Sequence, residues 1–404
     1  MTQKQTFEQS ILMNPLRVPL SAVGYVLVLL FAATGPWATY RYVPGTTVLI
    51  PVALGMLLSV VSIASLMLRM RPAAVLPAVV LLVFCGLVAA SIMWTINVEV
   101  WFQITAWWII CFIAFFGCLQ FVRGRKRLVG LALACMVAAL LTFPFLSQDA
   151  YMHVAEESRR FSVDGHNANH TGYALAACSF VILVVLRLLR VHLIVRLVLF
   201  AAVALIGIEL VMLGTRGAQF SFLLAIAAAL LSLKISSNLR LGFAIALGVT
   251  AILVPSGLLS PVLAWFDVLS ARGTGDLSGR LVLWNDALVW VGRYPWLGIG
   301  PGSFPTVNDL GLEPHNQLLN ILLTTGLVGM FLFAGLTVSI VLAIQSHAAK
   351  LASAVFLILG CFYVPIASSG QIDLIVPIWL ALAFAICLSE GAANPGRQRN
   401  LGDG

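Results

Sequence analysis

Four short polar segments of this chain carry residue types that could act on a phosphate or a sugar. They are the segments 159–170, 214–217, 278–280 and 315–316, and each borders a run of apolar residues. An ionisable side chain at such a border needs a partner or a function, because hydrocarbon does not solvate charge. Arginine binds phosphate oxygens two at a time, and histidine exchanges protons near neutral pH. The segments therefore indicate an anionic, phosphate-bearing ligand.

His315 lies where a long polar segment meets an apolar run that we predict to be a helix. The start of a helix offers unpaired N–H groups and the positive end of the helix dipole, which suit an anion. Asn316, Asn320 and Thr324 follow at four-residue spacing, so they share one helix face, which we expect to point into protein. The alternative is a boundary histidine that donates to a backbone carbonyl.

Arg216 and Arg280 are the arginines whose surroundings most favour anion binding. Arg216 stands between two apolar runs and is flanked by glycines, which let a ligand approach the backbone closely. Glu209, seven residues earlier on the same helix face, could instead pair with Arg216. Arg280 opens the segment 280–291, whose apolar spacing predicts a short helix. A cation in the first turn of a helix interacts unfavourably with the helix dipole, unless the cation and the helix N-terminus bind the same anion. The alternative to anion binding is that Arg280 is a solvated loop residue.

The segment 159–170 and Asn316 supply further candidates for substrate binding. The segment contributes four hydrogen-bonding side chains suited to sugar hydroxyls or phosphate: Arg159, Arg160, Asn167 and His170. A polar boundary loop would have the same composition. The chain has no zinc-binding spacing, no phosphate-binding P-loop and no G-x-S-x-G elbow, and residues 37–47 contain no acid. We therefore expect metal-independent chemistry without a cofactor.

The composition predicts that these residues are positioned by membrane-spanning helices. The chain has 404 residues, of which 61% are hydrophobic and 9% charged, too little polar surface for a soluble domain of this length. Apolar runs of about 20 residues, enough to cross a membrane, recur throughout. We predict twelve spans, centred near Val28, Leu58, Leu82, Ile113, Leu133, Ile182, Val203, Ala228, Ile252, Phe333, Leu357 and Ala383.

The basic residues predict the orientation of these spans. With both termini cytoplasmic, sixteen of the 23 lysines and arginines fall on the inner side, including every lysine. The other seven are all arginines: Arg41, Arg159, Arg160, Arg216, Arg272, Arg280 and Arg293. The net charge of +8 is then mainly a topology signal, and no nucleic-acid partner is expected.

We predict an all-α polytopic membrane protein with one integral membrane domain, 1–404. Two outer connections are long enough to carry function, 147–170 and 256–316. The second is rich in tryptophan, tyrosine and proline, which favours a folded, partly helical cap over the active site rather than a linker.

Four motifs in a fixed order resemble a known family. They are T-R-G at 215–217, S-G-R-x-x-x-W at 278–284, G-x-G-x-G-x-F at 298–304 and H-N-x9-G-x-x-G at 315–329. Together they resemble the bacterial O-antigen ligase family, which shares a domain with O-antigen polymerases and some protein O-oligosaccharyltransferases. The resemblance is strongest over 205–330, and the twelve-span layout extends it to the whole chain.

The resemblance implies an inner-membrane glycosyltransferase of lipopolysaccharide biosynthesis with a periplasmic active site. It would transfer O-antigen polysaccharide from undecaprenyl pyrophosphate to the lipid A–core oligosaccharide, so its partners would be this donor, this acceptor and membrane lipid. His315 takes the place of the family's essential histidine, and Arg216 and Arg280 take those of its essential arginines. The simplest mechanism is a single displacement with inversion, in which arginines hold the pyrophosphate and the imidazole acts as base.

Three other kinds of membrane protein are alternatives to this interpretation. A polymerase or protein O-oligosaccharyltransferase of the same superfamily would share the histidine motif. A transporter of an anionic solute also uses buried arginines, but no interrupted helices in two matching halves are evident. A flippase for lipid-linked sugars would need basic residues along a full membrane path, and the predicted spans carry almost no charge.

Overall fold

The chain folds into a bundle of apolar helices. The structure, a computed structural model, describes residues 17–37, 48–65, 72–149, 160–163, 168–231, 280–345, 349–369 and 375–393. Its helices are α1 Arg17–Thr34, α2 Ile50–Ala64, α3 Pro72–Ala90, α4 Val98–Phe121, α5 Gly124–Thr142, α6 Ala168–Leu188, α7 Leu193–Leu213, α8 Arg216–Leu231, α9 Arg280–Arg293, α10 Phe304–Val307, α11 Gln317–Gln345, α12 Ala349–Ser369 and α13 Val376–Ala393.

The chain is a multi-pass membrane protein. Among the described residues, six helices are long and apolar enough to cross a membrane, namely α3, α4, α5, α6, α7 and α11. Five shorter apolar helices, α1, α2, α8, α12 and α13, coincide with other predicted spans. The span predicted near Ile252 lies outside the described residues. The total of twelve spans and their orientation therefore stay predictions.

Helix α6 forms the centre of the bundle. It packs against α5, α7, α8, α12 and α13, and all its side chains from Thr171 to Val185 are buried. Small residues such as Gly172 and Ala176 let the neighbouring helices approach closely, which is how membrane helices gain packing contacts without a hydrophobic driving force. The first turn of α6, which holds His170, is therefore placed at the middle of one end of the bundle.

One feature departs from the predicted all-α class. Residues Leu146–Asp149 (β1) and Arg160–Val163 (β2) form a two-stranded antiparallel sheet, with Leu146 opposite Val163 and Asp149 opposite Arg160. The strands close the base of the long connection that begins at residue 147. These strands were not predicted, because four residues are too few to show the period of two that identifies a strand.

The opposite end of the bundle is fastened by polar contacts between helices. The Tyr25 hydroxyl on α1 donates to the carbonyl of Arg127 on α5 at 3.0 Å, and Arg127 Nη1 donates to the Ser21 hydroxyl at 2.8 Å. Gln120 donates to the carbonyl of Ser65 at 3.1 Å. All seven cysteines lie in described helices and are buried as free thiols, where they act as small core residues.

Candidate active site

His315 precedes α11 in a backbone conformation that is unfavourable for its residue type. Its φ is +50°, and it is the one non-glycine residue with positive φ among those described. Such a left-handed conformation costs an L-residue roughly 1–2 kcal/mol and persists only where the surroundings enforce it. Part of that enforcement comes from α9, where the indole Nε1 of Trp284 donates to the carbonyl of Pro314 at 2.7 Å.

Asn316 is the N-cap of α11. Its side-chain oxygen accepts the amide of Leu319 at 3.1 Å, and its carbonyl accepts the amide of Asn320 at 2.8 Å. The predicted polar face is present, since Asn320 is buried and the Thr324 hydroxyl donates to the Asn320 carbonyl at 2.8 Å. The capping role of Asn316 was not predicted, although asparagine before an apolar run is a recognised helix-start signal.

A second imidazole lies close to the first. His170, in the first turn of α6, is near enough to His315 for the two side chains to interact electrostatically. The sequence placed His170 in a loop 145 residues away. The fold brings the pair within electrostatic range, with α12 and α13 packed against both α6 and α11.

The turn that holds Arg216 docks onto the same turn of α6. Gly214 closes α7 with a φ of +60°, and the buried Thr215 hydroxyl donates to the carbonyl of Ala168 at 3.1 Å. A Cβ added to Gly172 would lie 2.9 Å from the Thr215 side chain, so these two segments are in close contact. Arg216 then begins α8 with an exposed side chain. It is thus held at the end of the bundle that carries His170.

The structure does not contain the Glu209–Arg216 ion pair that the sequence left open. Glu209 is fully buried in α7, and neither of its carboxylate oxygens has a hydrogen-bond partner within the described residues. Seven residues along a helix do share a face, but the chain leaves α7 at Gly214 and turns before Arg216. The change of direction separates the two side chains.

Arg280 is the first residue of α9, and its side chain lies outside the described part of the structure. Its backbone position is one turn before Trp284, the residue bonded to Pro314 next to His315. Ser278 and Gly279 lie outside the described residues. Helix α9 therefore links the S-G-R-x-x-x-W motif to the histidine motif, a connection that the sequence did not reveal.

The glycine motifs hold the large loop against a break in α11. Gly326 has a φ of +63° and a ψ of −160°, a combination open essentially only to glycine, and it interrupts the helix. The amides of Ile299 and Gly300 donate to the carbonyls of Leu323 and Thr324 at 2.7 and 3.1 Å. In return, the Leu327 amide donates to the Pro295 carbonyl at 2.8 Å. The loop thus satisfies the backbone groups that the break releases.

The same loop is tied to the connection between α3 and α4. The Trp94 indole donates to the carbonyl of Leu297 at 3.0 Å, and the amide of Ile96 donates to the Ser303 hydroxyl at 3.1 Å. The predicted cap is therefore folded where it is described, over residues 280–316. These contacts place the connection between α3 and α4 at the same end of the bundle as the large loop.

The remaining predicted site residues lie outside the described residues or at the border of a described segment. Arg159 and Asn167 lie outside the described residues, and Arg160 begins β2 with a side chain that is not described. Within the described ranges, no three histidine, cysteine, aspartate or glutamate side chains are grouped as metal ligands are. The structure therefore brings His315, His170 and the turn of Arg216 to one end of the bundle. The start of α9 lies one turn before Trp284, which is bonded to Pro314 next to His315.

The fold and this site define a class of protein, a multi-pass helical membrane protein with histidine and arginine at one end of its bundle. Residues 201–334 match the family model described as O-Antigen ligase, which confirms the resemblance inferred from the motifs. The match supports a superfamily of glycosyltransferase-like ligases that includes polymerases and oligosaccharyltransferases acting on lipid-linked or polysaccharide substrates. It contains Arg216, Arg280 and His315. No curated protein matches the chain.

Proposed function

We propose that this protein is an O-antigen ligase of lipopolysaccharide biosynthesis, acting at the periplasmic face of the bacterial inner membrane. It transfers O-antigen polysaccharide from undecaprenyl pyrophosphate to the lipid A–core oligosaccharide. The observation that carries the proposal is the left-handed backbone of His315 within the segment 201–334, which matches the O-antigen ligase family. His170 lies within electrostatic range of it. Backbone strain at a histidine next to a helix start is typical of a residue retained for chemistry.

Arg216 and Arg280 bind the donor pyrophosphate. A guanidinium forms two parallel hydrogen bonds to phosphate oxygens, so two of them can neutralise a diphosphate without a divalent ion. Their charge also stabilises the negative charge that develops on the leaving group as the anomeric carbon–oxygen bond breaks. The exposure of Arg216 at the start of α8 supports this role, because a ligand can reach it there.

His315 is the general base. Its neutral imidazole takes the proton of an acceptor sugar hydroxyl, and the hydroxyl oxygen forms a bond to the anomeric carbon. The bond from that carbon to the pyrophosphate oxygen breaks, and undecaprenyl pyrophosphate leaves with the electron pair. One displacement inverts the anomeric configuration. Arg159, Arg160, Asn167, His170 and Asn316 are proposed to contact the sugars or phosphates.

An acceptor-choice assay tests the proposal. Purified protein in proteoliposomes is given undecaprenyl-pyrophosphate-linked polysaccharide with lipid A–core, with a second portion of lipid-linked repeat unit, or with an acceptor protein. We expect product with lipid A–core alone, and NMR of the new linkage should show inverted configuration. Lengthening of the lipid-linked donor would identify a polymerase, glycosylation of the protein would identify an oligosaccharyltransferase, and retained configuration would contradict the single displacement.

A further inference from the structure

Helix α9 has apolar residues on both faces, and only one face is packed. Leu283 and Ala287 are buried, and with Trp284 and Trp290 they pack against a small core that includes Phe304 and Leu323. The opposite side exposes four large apolar residues, between 40% and 57% of their surface: Leu281, Val282, Leu288 and Val289. At about 100° per residue these four fall within one sector about 120° wide, in which the exposed Asn285 is the one polar side chain among the described residues.

The length of α9 indicates whether it can span the membrane or lie along its surface. It has 14 residues and is therefore about 21 Å long, shorter than the hydrocarbon core of about 30 Å. It begins with Arg280 and ends with Arg293, which a span would have to bury. Packed lengthwise on the large loop and α11, it can instead lie along the membrane surface.

Exposed aromatic residues follow α9 where the large loop meets α11. After α9, the Tyr294 amide donates to the Trp290 carbonyl, and the Tyr294 side chain is half exposed. The carbonyl of Trp296, a residue that is 67% exposed, accepts the Val328 amide of α11 at 3.2 Å. Phe331, one turn further along α11, is also exposed. Exposed tyrosine and tryptophan beside a membrane helix are typical of the headgroup level.

The charge at the end of α9 fits a lipid surface. The Arg293 guanidinium lies over the Trp290 ring, 5.1 Å from its centroid. An arginine stacked on an aromatic ring at the edge of an apolar stripe is placed to meet lipid phosphates while the stripe meets acyl chains.

We propose that α9 is an interfacial helix, with the face formed by Leu281, Val282, Leu288 and Val289 inserted among the phospholipids of the adjacent membrane leaflet. The occupant of this face is bilayer lipid, not a second copy of the chain or another segment of it. The inference is independent of the transfer reaction and concerns the place of α9 alone.

Depth-dependent fluorescence quenching tests the proposal. Cysteine is introduced at position 288 or 289 by Leu288→Cys or Val289→Cys and labelled with an environment-sensitive fluorophore in proteoliposomes of the full chain. Asp309→Cys, at an exposed residue of the same loop, is the matched control. Unmodified protein, whose seven cysteines are buried, gives the background.

We expect the labels at 288 and 289 to emit at shorter wavelength and to be quenched by lipids carrying a nitroxide near the headgroup, but not by aqueous iodide. The label at 309 should show the reverse pattern. Quenching of the 288 and 289 labels by iodide would place the face in water, and protection from both quenchers would mean that protein covers it. Either result would overturn the proposal.

Discussion

At the turn that begins the T-R-G motif, three consecutive residues have separate tasks. Gly214, just before the motif, closes α7, the Thr215 hydroxyl fastens the turn to α6, and Arg216 presents an exposed guanidinium. The residues of the histidine motif also have separate roles. Asn316 caps α11, and His315 has a strained backbone conformation. In both motifs the neighbouring residues fold the turn, and Arg216 and His315 are the side chains that we propose to contact the substrate.

The strain at His315 leads to a prediction that separates stability from activity. His315→Gly and His315→Ala both remove the imidazole, but only glycine adopts a φ of +50° without penalty. We expect both variants to be inactive and His315→Gly to be more stable than His315→Ala by about 1 kcal/mol. Unfolding in detergent measures the difference. Equal stability of the two variants would show that the backbone at this position is unstrained.

The two ends of α9 offer a matched pair of arginines. Arg280→Lys keeps the charge but loses the planar fork, so we expect transfer to fall about a hundredfold. Arg293→Lys, at the other end of the same helix, should retain most activity because it lies outside the proposed pyrophosphate site. Transfer rates at saturating donor measure both. Near-normal rates for Arg280→Lys would mean that this arginine acts only as a point charge.

Among the helices, α11 departs furthest from its sequence pattern. Its residues form a largely apolar run with three glycines, and such a run predicts one continuous span. The structure instead breaks it at Gly326 and fills the break with backbone of residues 295–300. Local sequence cannot reveal this, because the partner segment comes from a loop that folds separately. An isolated interrupted helix of this kind, closed by protein, gives no support to a transporter.

The break can be tested with two glycines of the same helix. A Cβ at Gly326 would collide with the backbone of Trp296 and Leu297, whereas a Cβ at Gly335 meets nothing within 4 Å. Gly326→Ala should therefore lower the free energy of unfolding by about 1–3 kcal/mol or more, and Gly335→Ala should be neutral or stabilising. Thermal unfolding in detergent compares them. Equal tolerance of both substitutions would contradict the docking of the loop on the break.

Across the bundle, the sequence predicted the helices well and their contacts poorly. Long apolar runs identify spans directly, because a membrane requires a fixed length of apolar helix. The nearness of His170 and His315 depends on which helix lies at the centre, and nothing in either segment encodes that. The strands β1 and β2 were missed for a related reason, since ten residues separate two very short segments that pair.

The neutralisation of the donor pyrophosphate by arginines leads to a prediction about metal ions. If arginines alone neutralise the donor pyrophosphate, a divalent ion has no task in the reaction. We expect the full transfer rate in the presence of a strong chelator, after the protein has been purified through it. The rate is measured with and without added magnesium or manganese. Loss of activity in chelator, restored by either ion, would reveal a metal in the mechanism.

The most direct measurement compares wild-type protein with His315→Ala in one reconstituted system, following both donor binding and polysaccharide transfer. The proposed mechanism predicts that His315→Ala binds the lipid-linked donor as the wild type does, because arginines hold the pyrophosphate. It also predicts that transfer to lipid A–core falls by about 10²–10⁴-fold. Transfer by His315→Ala at the wild-type rate would contradict the central role given to this imidazole.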